Sequence, residues 1–403
     1  MRSTDPTAIE DWLFGFVRAD GPRGEAARHS ASELFAALGD PQDRVRAVHI
    51  VGTAGKGTVA HLVAHELRRA GVTVGLHVSP HVYDVRERFT VADGLPPWPE
   101  VAAAAEEVRG AIAPGREPTF FAVTAAMAYV LARRAGTDVL VVEAGIGGRH
   151  DATNTFQRAD VLTVVTAIGL DHQDVLGSDV ASIAAEKSAV LAGRAWAVLG
   201  PQPDPDARQV VQASARNHGT QLVEIPPAGD WQADAAATAQ AVLTQFLDDV
   251  PDLALPALPG RGETHDVGDR RWILDGAHNP MKLEALVSTL DGETPPIIGV
   301  VAIGAGKDLS HSASVLARVL DSAVVLEFGF DDPAIGPRSH RADEVAEALQ
   351  RAGITDVVVA ADPAGAIEAV DRRRHPTVVV TGSFLHLGAL RSALLGPGPM
   401  PLR

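Results

Sequence analysis

The stretch "VHIVGTAGKGTVAHLVAHELRRAG", Val48 to Gly71, sets Gly52, Gly55 and Gly57 with Thr53 and Thr58 around one lysine where an apolar run gives way to a helical pattern. A strand that turns through Gly52, Thr53, Gly55 and Gly57 into a helix leaves backbone N–H groups at the positive end of the helix dipole, and such an end holds anions. Lys56 would then reach the terminal phosphates of a nucleotide, and the Thr58 hydroxyl would ligate Mg²⁺. The spacing is not the standard one. A standard phosphate loop has four residues between its first glycine and the Gly-Lys pair, with a hydroxyl directly after the lysine. Here Thr53 and Ala54 alone separate Gly52 from Gly55-Lys56, and Gly57 precedes Thr58. The competing reading is a plain strand-to-helix turn.

Lysine occurs only at Lys56, Lys187, Lys282 and Lys307, and arginine supplies the rest of the 35 basic side chains. The two are close to interchangeable on a surface but not in a tight phosphate cradle, nor where an amine must lose its proton, so the surviving lysines are candidates for chemistry. In "VVEAGIGGRHDATN" Glu143 ends an apolar run, the position where open α/β sheets meet ligands. A metal-directed carboxylate and a solvated strand-end acid are the two readings. Gly145, Gly147 and Gly148 do not make a dinucleotide fingerprint, because the third glycine of that pattern falls on His150. In "TAIGLDHQDVLGSDVASIAAEKSAVL" Asp171 and His172 directly follow a strand, so His172 can join Glu143 at a metal. Lys187 reads either as a helix-surface lysine or as a desolvated amine that captures CO₂, which turns a cation into a metal-directed carbamate. Further on, "LPGRGE" and "ILDGAHNP" bring Arg261, Asp275 and His278. Asp275 suits a ribose hydroxyl and His278 suits the approach of a phosphate.

A chain of 403 residues is expected to hold two domains, divided here as 1–256 and 257–403. Its formal charge of −16 argues against broad binding to nucleic acid or anionic membranes, so a phosphorylated ligand has to be held locally. Cysteine is absent, which excludes disulfides, thiolate nucleophiles and Cys-ligated zinc. No apolar run approaches bilayer length and Met1 to Glu10 lacks a signal-peptide pattern, so a cytoplasmic location is expected, with no membrane partner.

The elements that must position these residues alternate. After two N-terminal helices, "VRAVHIV" reads as a strand, Thr58 to Ala70 as a helix stopped by Gly71, and "TVGLHV" as the next strand. Helices near 100–112 and 120–134 precede strands "DVLVVEAG" and "DVLTVVTAI", a helix at 180–191, strand "RAWAVLG", and helices at 206–217 and 232–248. "DVPDLALPALPGRGE" breaks the periodicity and reads as a linker. Beyond it, strands "RRWILDG", "IIGVVAI", "AVVLEF", "DVVVA" and "TVVVTG" alternate with helices, the pattern of a second open α/β sheet.

Taken in order, "GTAGKGT", "SPHVYDVRERF", "TFFAVTAAMAY", "EAGIGGRHDATN", "IGLDHQDVLGSDVASIAAEKSAVL", "LPGRGE", "LDGAHNP", "GKDLS", "GPRSHRADEV" and "VTGSFLHLGALR" resemble the folylpolyglutamate synthase/dihydrofolate synthase branch of the Mur ligase superfamily. The resemblance runs from about Ile9 to Arg391. It implies an α/β, Mur ligase-like fold: an N-terminal P-loop ATP-binding parallel-sheet domain, a smaller Rossmann-like C-terminal domain, and a cleft that closes over substrates. It implies an ATP-dependent ligase that activates a carboxylic acid as an acyl phosphate and couples it to an amino acid or amine. By position it assigns Thr58 and Ser79 to a first Mg²⁺ and Glu143, His172 and carbamylated Lys187 to a second. Arg261 and Asp275 go to the nucleotide and Lys56 to its phosphates, His278 sits nearby, and Lys307 falls in a lysine-acid pair. The resemblance implies a monomer.

The chain departs from the family pattern at Ala54, where the loop usually carries asparagine, and at Val85, Ala122, Ala235 and Gly262. Loss at the acceptor positions leaves two alternatives: an amide ligase acting on a non-folate acid, and an ATP-dependent regulatory protein that makes no bond.

Overall fold

Ala47 to Val51 form an uninterrupted buried run in β1 (Arg46–Val51), the burial expected of a strand covered on both faces of a parallel sheet. The computed structural model describes residues 5–17, 21–92, 94–253, 256–329 and 339–396, so positions 336–338 of the "GPRSHRADEV" stretch lie outside the described residues. The chain divides into two units, Met1–His81 with Val85–Leu255, and Val82–Asp84 with Pro256–Arg403.

In the first unit the order along the chain is α1 (Pro6–Phe14), α2 (Gly24–Ala37), β1, α3 (Lys56–Arg69), β2 (Val74–His77), β3 (Phe89–Val91), α4 (Trp98–Ala111), α5 (Phe120–Arg134), β4 (Val139–Glu143) and β5 (Leu162–Val165). It continues with α6 (Gln173–Leu176), α7 (Val180–Ser188), β6 (Trp196–Leu199), α8 (Pro205–His218), β7 (Gln221–Glu224) and α9 (Trp231–Leu243). Among the described residues these strands form a seven-stranded sheet in the order β3-β2-β4-β1-β5-β6-β7. Every pairing is parallel except β2 with β3. The carboxyl ends of β1, β2, β4 and β5 therefore open on one edge of the sheet, where doubly wound folds bind ligands.

Alternation along the strands divides the core. Leu140 and Val142 of β4 pack with α1, α2, α4 and α5, while Val139 and Val141 pack with α3 and α9. Fully burying each such side chain is worth about 1.5–3 kcal/mol. Helix α5 is buried continuously from Ala122 to Ala132, so it behaves as a core helix and not as an amphipathic one.

In the second unit the elements are β8 (Glu263–Val267), β9 (Arg270–Leu274), α10 (Pro280–Thr289), β10 (Ile297–Val301), α11 (Leu309–Leu316) and β11 (Ser322–Val325). α12 (Ala342–Arg351), β12 (Asp356–Val359), α13 (Pro363–Asp371), β13 (Thr377–Thr381) and α14 (Phe384–Leu395) complete it. The sheet order is β12-β11-β10-β13-β9-β8, parallel apart from the β8–β9 hairpin. Helices α10, α11 and α12 cover one face, and α13 and α14 cover the other.

Several expectations need correction, among them the helix expected at 232–248, which ends at Leu243. Helix α3 begins at Lys56, two residues before the expected Thr58, because Gly55 adopts a left-handed conformation at φ 83 and takes the cap position. The segment read as linker through Glu263 gives way to a strand, β8, at that residue. Among the described residues no helix is long and apolar enough to cross a membrane.

Candidate active site

The turn after β1 is clamped from below by the strand beside it. Thr166, just past β5, donates its hydroxyl to Ala54 O at 2.7 Å, and its backbone N–H donates to Val51 O at 2.8 Å. Thr53 N and Ala54 N donate to Ala167 O, and the Thr53 hydroxyl bonds Gly169 O at 3.1 Å. Gly52, at φ 150, cannot be another residue, since an added Cβ would lie 2.0 Å from Thr166 Oγ1. Thr53, expected among the nucleotide contacts, thus spends its N–H and hydroxyl bracing the loop. The first-turn amides of α3, from Lys56 to Thr58, have no intrahelical acceptor and are the donors that the loop bracing does not use. Thr58 itself is buried at the same helix start.

Lys56 folds back over this loop. Its Nζ donates to Gly52 O at 3.1 Å and lies 3.9 Å from Glu143 Oε1 at the end of β4. The other oxygen of Glu143 accepts the Ser79 backbone N–H at 3.0 Å. One buried carboxylate therefore joins the residues that follow β1 and β2. Behind it, burial lowers Arg88 to a pKa of about 10 against the raising influence of Glu143 and Glu87. Arg88 Nε donates to His81 Nδ1 at 2.7 Å, and its guanidinium lies over the Phe120 ring. His77 stays neutral, pushed down to about 4 by burial, with Nδ1 bonded to Arg88 O.

Lys187 near the end of α7 is buried, with 4% of its surface exposed. The glycine-rich loop after β4 packs on its backbone: a Cβ on Gly148 would come 2.6 Å from Lys187 O, so only glycine allows this approach. Arg149 N donates to Glu186 O at 2.9 Å. The loop is pinned by Asp151, which accepts Ile146 N at 2.8 Å, Thr153 N at 2.9 Å and the Thr153 hydroxyl at 2.6 Å. Burial raises the Asp151 pKa, and the Thr153 and Ile146 hydrogen bonds and the charge of Lys187 pull it back. Because Thr153 Oγ1 spends its hydrogen on Asp151, it accepts from His49 Nε2 at 2.8 Å. Burial holds that imidazole neutral, its pKa pushed down to about 3. Asp151, Thr153 and His49 had no place in the sequence reading. The Asp-x-Thr turn pattern was the available signal, whereas the contact with His49 of β1 is non-local.

His172 adopts a left-handed conformation, φ 49, ahead of α6, with Nε2 3.9 Å from Asp171 Oδ1. Among the described residues no group of three or more His, Cys, Asp or Glu side chains is gathered as a metal cage. The expected donors differ from such a cage, since one set consists of the hydroxyls of Thr58 and Ser79 and the other includes Lys187 beside Glu143 and His172. Hydroxyl and carboxylate oxygens are donors that suit a hard divalent cation, and Glu143 is buried where it accepts the Ser79 N–H.

In the second unit Asp275 leaves β9 and accepts Gly262 N and Ala277 N, each at 2.8 Å. Burial raises its pKa to about 6, opposed by these two bonds and by the charges of Arg261 and Lys282. Gly262 has φ 63, so the position usually aromatic in the family is here a left-handed residue whose N–H serves Asp275. Phe384 packs directly on Gly276, with Arg261 over its ring at 5.1 Å and the His278 ring at 6.0 Å. Asp308, next to Lys307, caps α11 by accepting His311 N at 2.9 Å. The other departures are absorbed by packing. Val85 and Ala122 are buried in one apolar cluster, Ala235 is buried in another, and the Ala54 backbone is held by Thr166 and Ala167.

A phosphate loop at the switch region of a parallel sheet, followed by a second α/β unit with its own strand-end aspartate, defines an ATP-dependent ligase of the Mur type. The Mur ligase, glutamate ligase domain profile matches residues 260–384. A dihydrofolate synthase/folylpolyglutamate synthase of Mycobacterium tuberculosis is 30% identical over 445 residues, covering 91% of this chain and 90% of that protein. A Halobacterium salinarum relative, whose name joins folylpolyglutamate synthase to dihydropteroate synthase, is 32% identical over 93% of this chain, and the chain spans 50% of its length. Among solved structures, the Mycobacterium tuberculosis folylpolyglutamate synthase complexed with ADP and AMPPCP has a TM-score of 0.84 at 26% identity, covering 98% of this chain and 100% of that one. The Yersinia pestis bifunctional enzyme complexed with AMPPNP and Mn ion has a TM-score of 0.80 at 26% identity, covering 97% and 98%. The chain belongs to the folylpolyglutamate synthase/dihydrofolate synthase family. It is in class an ATP-dependent, ADP-forming ligase.

Proposed function

We propose that this chain joins glutamate to a folate-class carboxylic acid, dihydropteroate or a reduced folate, at the expense of ATP. The observation that carries the reading is Lys56, tied to Gly52 O at 3.1 Å and 3.9 Å from the buried Glu143 carboxylate at the ligand-facing edge of the sheet. The names of the relatives support the acid and the amine. They do not favour a regulatory ATPase, because each relative reported above is named as a synthase.

A carboxylate is a poor electrophile because its leaving group would be oxide. In the proposed reaction a carboxylate oxygen of the acid attacks the γ-phosphorus of ATP, the bond to the β-phosphate oxygen breaks, and ADP leaves an acyl phosphate. The amine attacks the acyl carbon, the carbon–oxygen bond to phosphate breaks, and the ammonium gives up its proton, so that amide and phosphate remain. Phosphoryl transfer of this kind needs positioning and charge compensation more than covalent catalysis. Lys56 and the first-turn amides of α3 supply both to the phosphate oxygens. Arg261 and Asp275 are assigned to the nucleotide. Thr58 and Ser79 are assigned to one Mg²⁺, and Glu143, His172 and Lys187, carbamylated, to a second. When bound, the two ions would neutralise charge on the phosphoryl oxygens. The burial of Lys187, on whose backbone the Gly148 loop packs, supports the carbamate, since desolvation favours the neutral amine that reacts with CO₂. The same reading gives a cytoplasmic monomer that uses neither nucleic acid nor membrane, in keeping with a net charge of −16.

ADP release tests the reading, measured with dihydropteroate plus glutamate, reduced folates plus glutamate, and a panel of other carboxylic acids and amines. Turnover that rises sharply only with a folate-class acid and glutamate together, with the glutamylated product found by mass spectrometry, is the expected result. Rapid ADP release without an acid would contradict ligation, and selection of another acid would move the chain to a different substrate.

A further inference from the structure

His49 is the one polar side chain in the buried run of β1, and it sits at the centre of the sheet, in register with Val142 of β4 and Thr163 of β5. A strand covered on both faces gains from an imidazole only through the hydrogen bonds the ring makes there. Three residues further on, Gly52 opens the phosphate loop.

The bond in question runs to Thr153. His49 Nε2 lies 2.8 Å from Thr153 Oγ1, which donates to Asp151 Oδ1 at 2.6 Å. The same carboxylate accepts Thr153 N at 2.9 Å and Ile146 N at 2.8 Å. Three donors on one carboxyl group favour its ionised form, which only accepts. The Thr153 hydroxyl has a single hydrogen and spends it on Asp151, so it accepts from His49. His49 is therefore the Nε2–H tautomer, with its ring against Phe156 at 5.6 Å between centroids.

Asp151 in turn fixes the loop after β4, and that loop lies on the end of α7. A Cβ on Gly148 would come 2.6 Å from Lys187 O and 2.8 Å from Lys187 Cα. Arg149 N donates to Glu186 O at 2.9 Å, and His150 N to Glu186 Oε1 at 3.3 Å. Two side-chain hydrogen bonds thus join the strand that delivers Lys56 to the loop that seats Lys187, all within the first unit.

We propose that His49 is a positioning residue for ligation: through Thr153 and Asp151 it locks the 146–150 loop, and with it Lys187, to the strand that ends in the phosphate loop. It touches no substrate. The proposal rests on the reading of Lys187 as part of the reaction and adds the group that sets its place relative to Lys56.

Kinetics of the full chain with ATP, dihydropteroate and glutamate test it. His49→Leu removes the donor and should lower kcat about tenfold or more, because small displacements of a positioned group are costly, while the Michaelis constant for ATP changes by less than about twofold. His49→Gln keeps a side-chain N–H donor and should hold kcat within about threefold of the starting protein. Combining His49→Leu with Thr153→Val sets two apolar groups against each other, which protects folding, and should slow the enzyme no further than Thr153→Val alone, since both residues act through one chain. Two readouts need no activity. Nitrogen-15 spectra of histidine-labelled protein, assigned with His49→Gln, should show a protonated Nε2 and a bare Nδ1 on His49 at neutral pH. The Ile146 amide should exchange with solvent about tenfold or more faster in His49→Leu. A lowered melting temperature with unchanged kcat in His49→Leu, an Nδ1–H or doubly protonated ring, or unaltered exchange at Ile146 would overturn the proposal. Full activity in Lys187→Ala would overturn the reading of Lys187 and the proposal with it. An inactive Lys187→Ala beside a fully active His49→Leu would overturn the proposal alone.

Discussion

Lys56 Nζ lies between Gly52 O, 3.1 Å away, and Glu143 Oε1, 3.9 Å away, so one ammonium links the phosphate loop to the carboxylate at the end of β4. Replacing it removes a compensating charge from the phosphoryl site and one of the two cations, with Arg88, that act on the buried Glu143 carboxylate. Lys56→Met is expected to lower kcat by about 10²–10³-fold, the range for loss of one preorganised charge-stabilising group. It should also lower the melting temperature, and adding Glu143→Gln should recover stability without recovering activity. Steady-state kinetics and thermal melts of the single and double variants check this. Near-normal kcat in Lys56→Met would remove the residue from the chemistry.

Lys187 is expected to work as an anion. Lys187→Ala should abolish amide formation, and acetate or formate should restore part of it by supplying the missing carboxylate. A helix-surface lysine would show neither effect. Normal activity in the variant, or loss with no rescue in a well-folded protein, would count against the carbamate.

Asp275 gives a pH signature. Burial raises its pKa to about 6, so the group is ionised at neutral pH and takes up a proton as the pH falls through that value. Only the ionised form accepts strongly from a ribose hydroxyl while leaving Arg261 and Lys282 compensated. The Michaelis constant for ATP should therefore rise below about pH 6, and Asp275→Asn should show a raised but flatter profile. Identical profiles for the two proteins would detach Asp275 from nucleotide binding.

His49 makes the first unit sensitive to acid. Its folded pKa, about 3, lies below the unfolded value of 6.5, so above 6.5 the residue is neutral in both states and costs nothing. Below that, the unfolded chain binds a proton that the folded chain refuses, and stability falls by up to about 1.4 kcal/mol per pH unit until the folded pKa is reached. His77, at about 4, acts in the same direction. Melting temperatures measured from neutral pH downward should fall less steeply for His49→Gln, and equal slopes would contradict the assignment.

Local signals reached the sequence level and non-local ones did not. The glycines around Lys56, the apolar run of β1 and the helix period of α3 lie within one short stretch, so loop and fold class were legible together. α3 starts before its apolar period does because Gly55 caps from a left-handed conformation that its identity permits but does not require. β7 was missed because it is an edge strand with Gln221, Val223 and Glu224 exposed, and so carries no apolar signature. β8 escaped for a similar reason, its Thr264 and Asp266 facing solvent. The clamp of Thr166 on Gly52 and the chain from Asp151 through Thr153 to His49 depend on strand pairing, which composition and spacing do not encode.

The central claim is that a carboxylate becomes an acyl phosphate on this protein before the amide forms. Dihydropteroate or tetrahydrofolate labelled with oxygen-18 in the reacting carboxylate tests it directly, with the released phosphate read by mass spectrometry. Transfer of one labelled oxygen into phosphate for each amide made is the predicted result. Amide formation with unlabelled phosphate would contradict it.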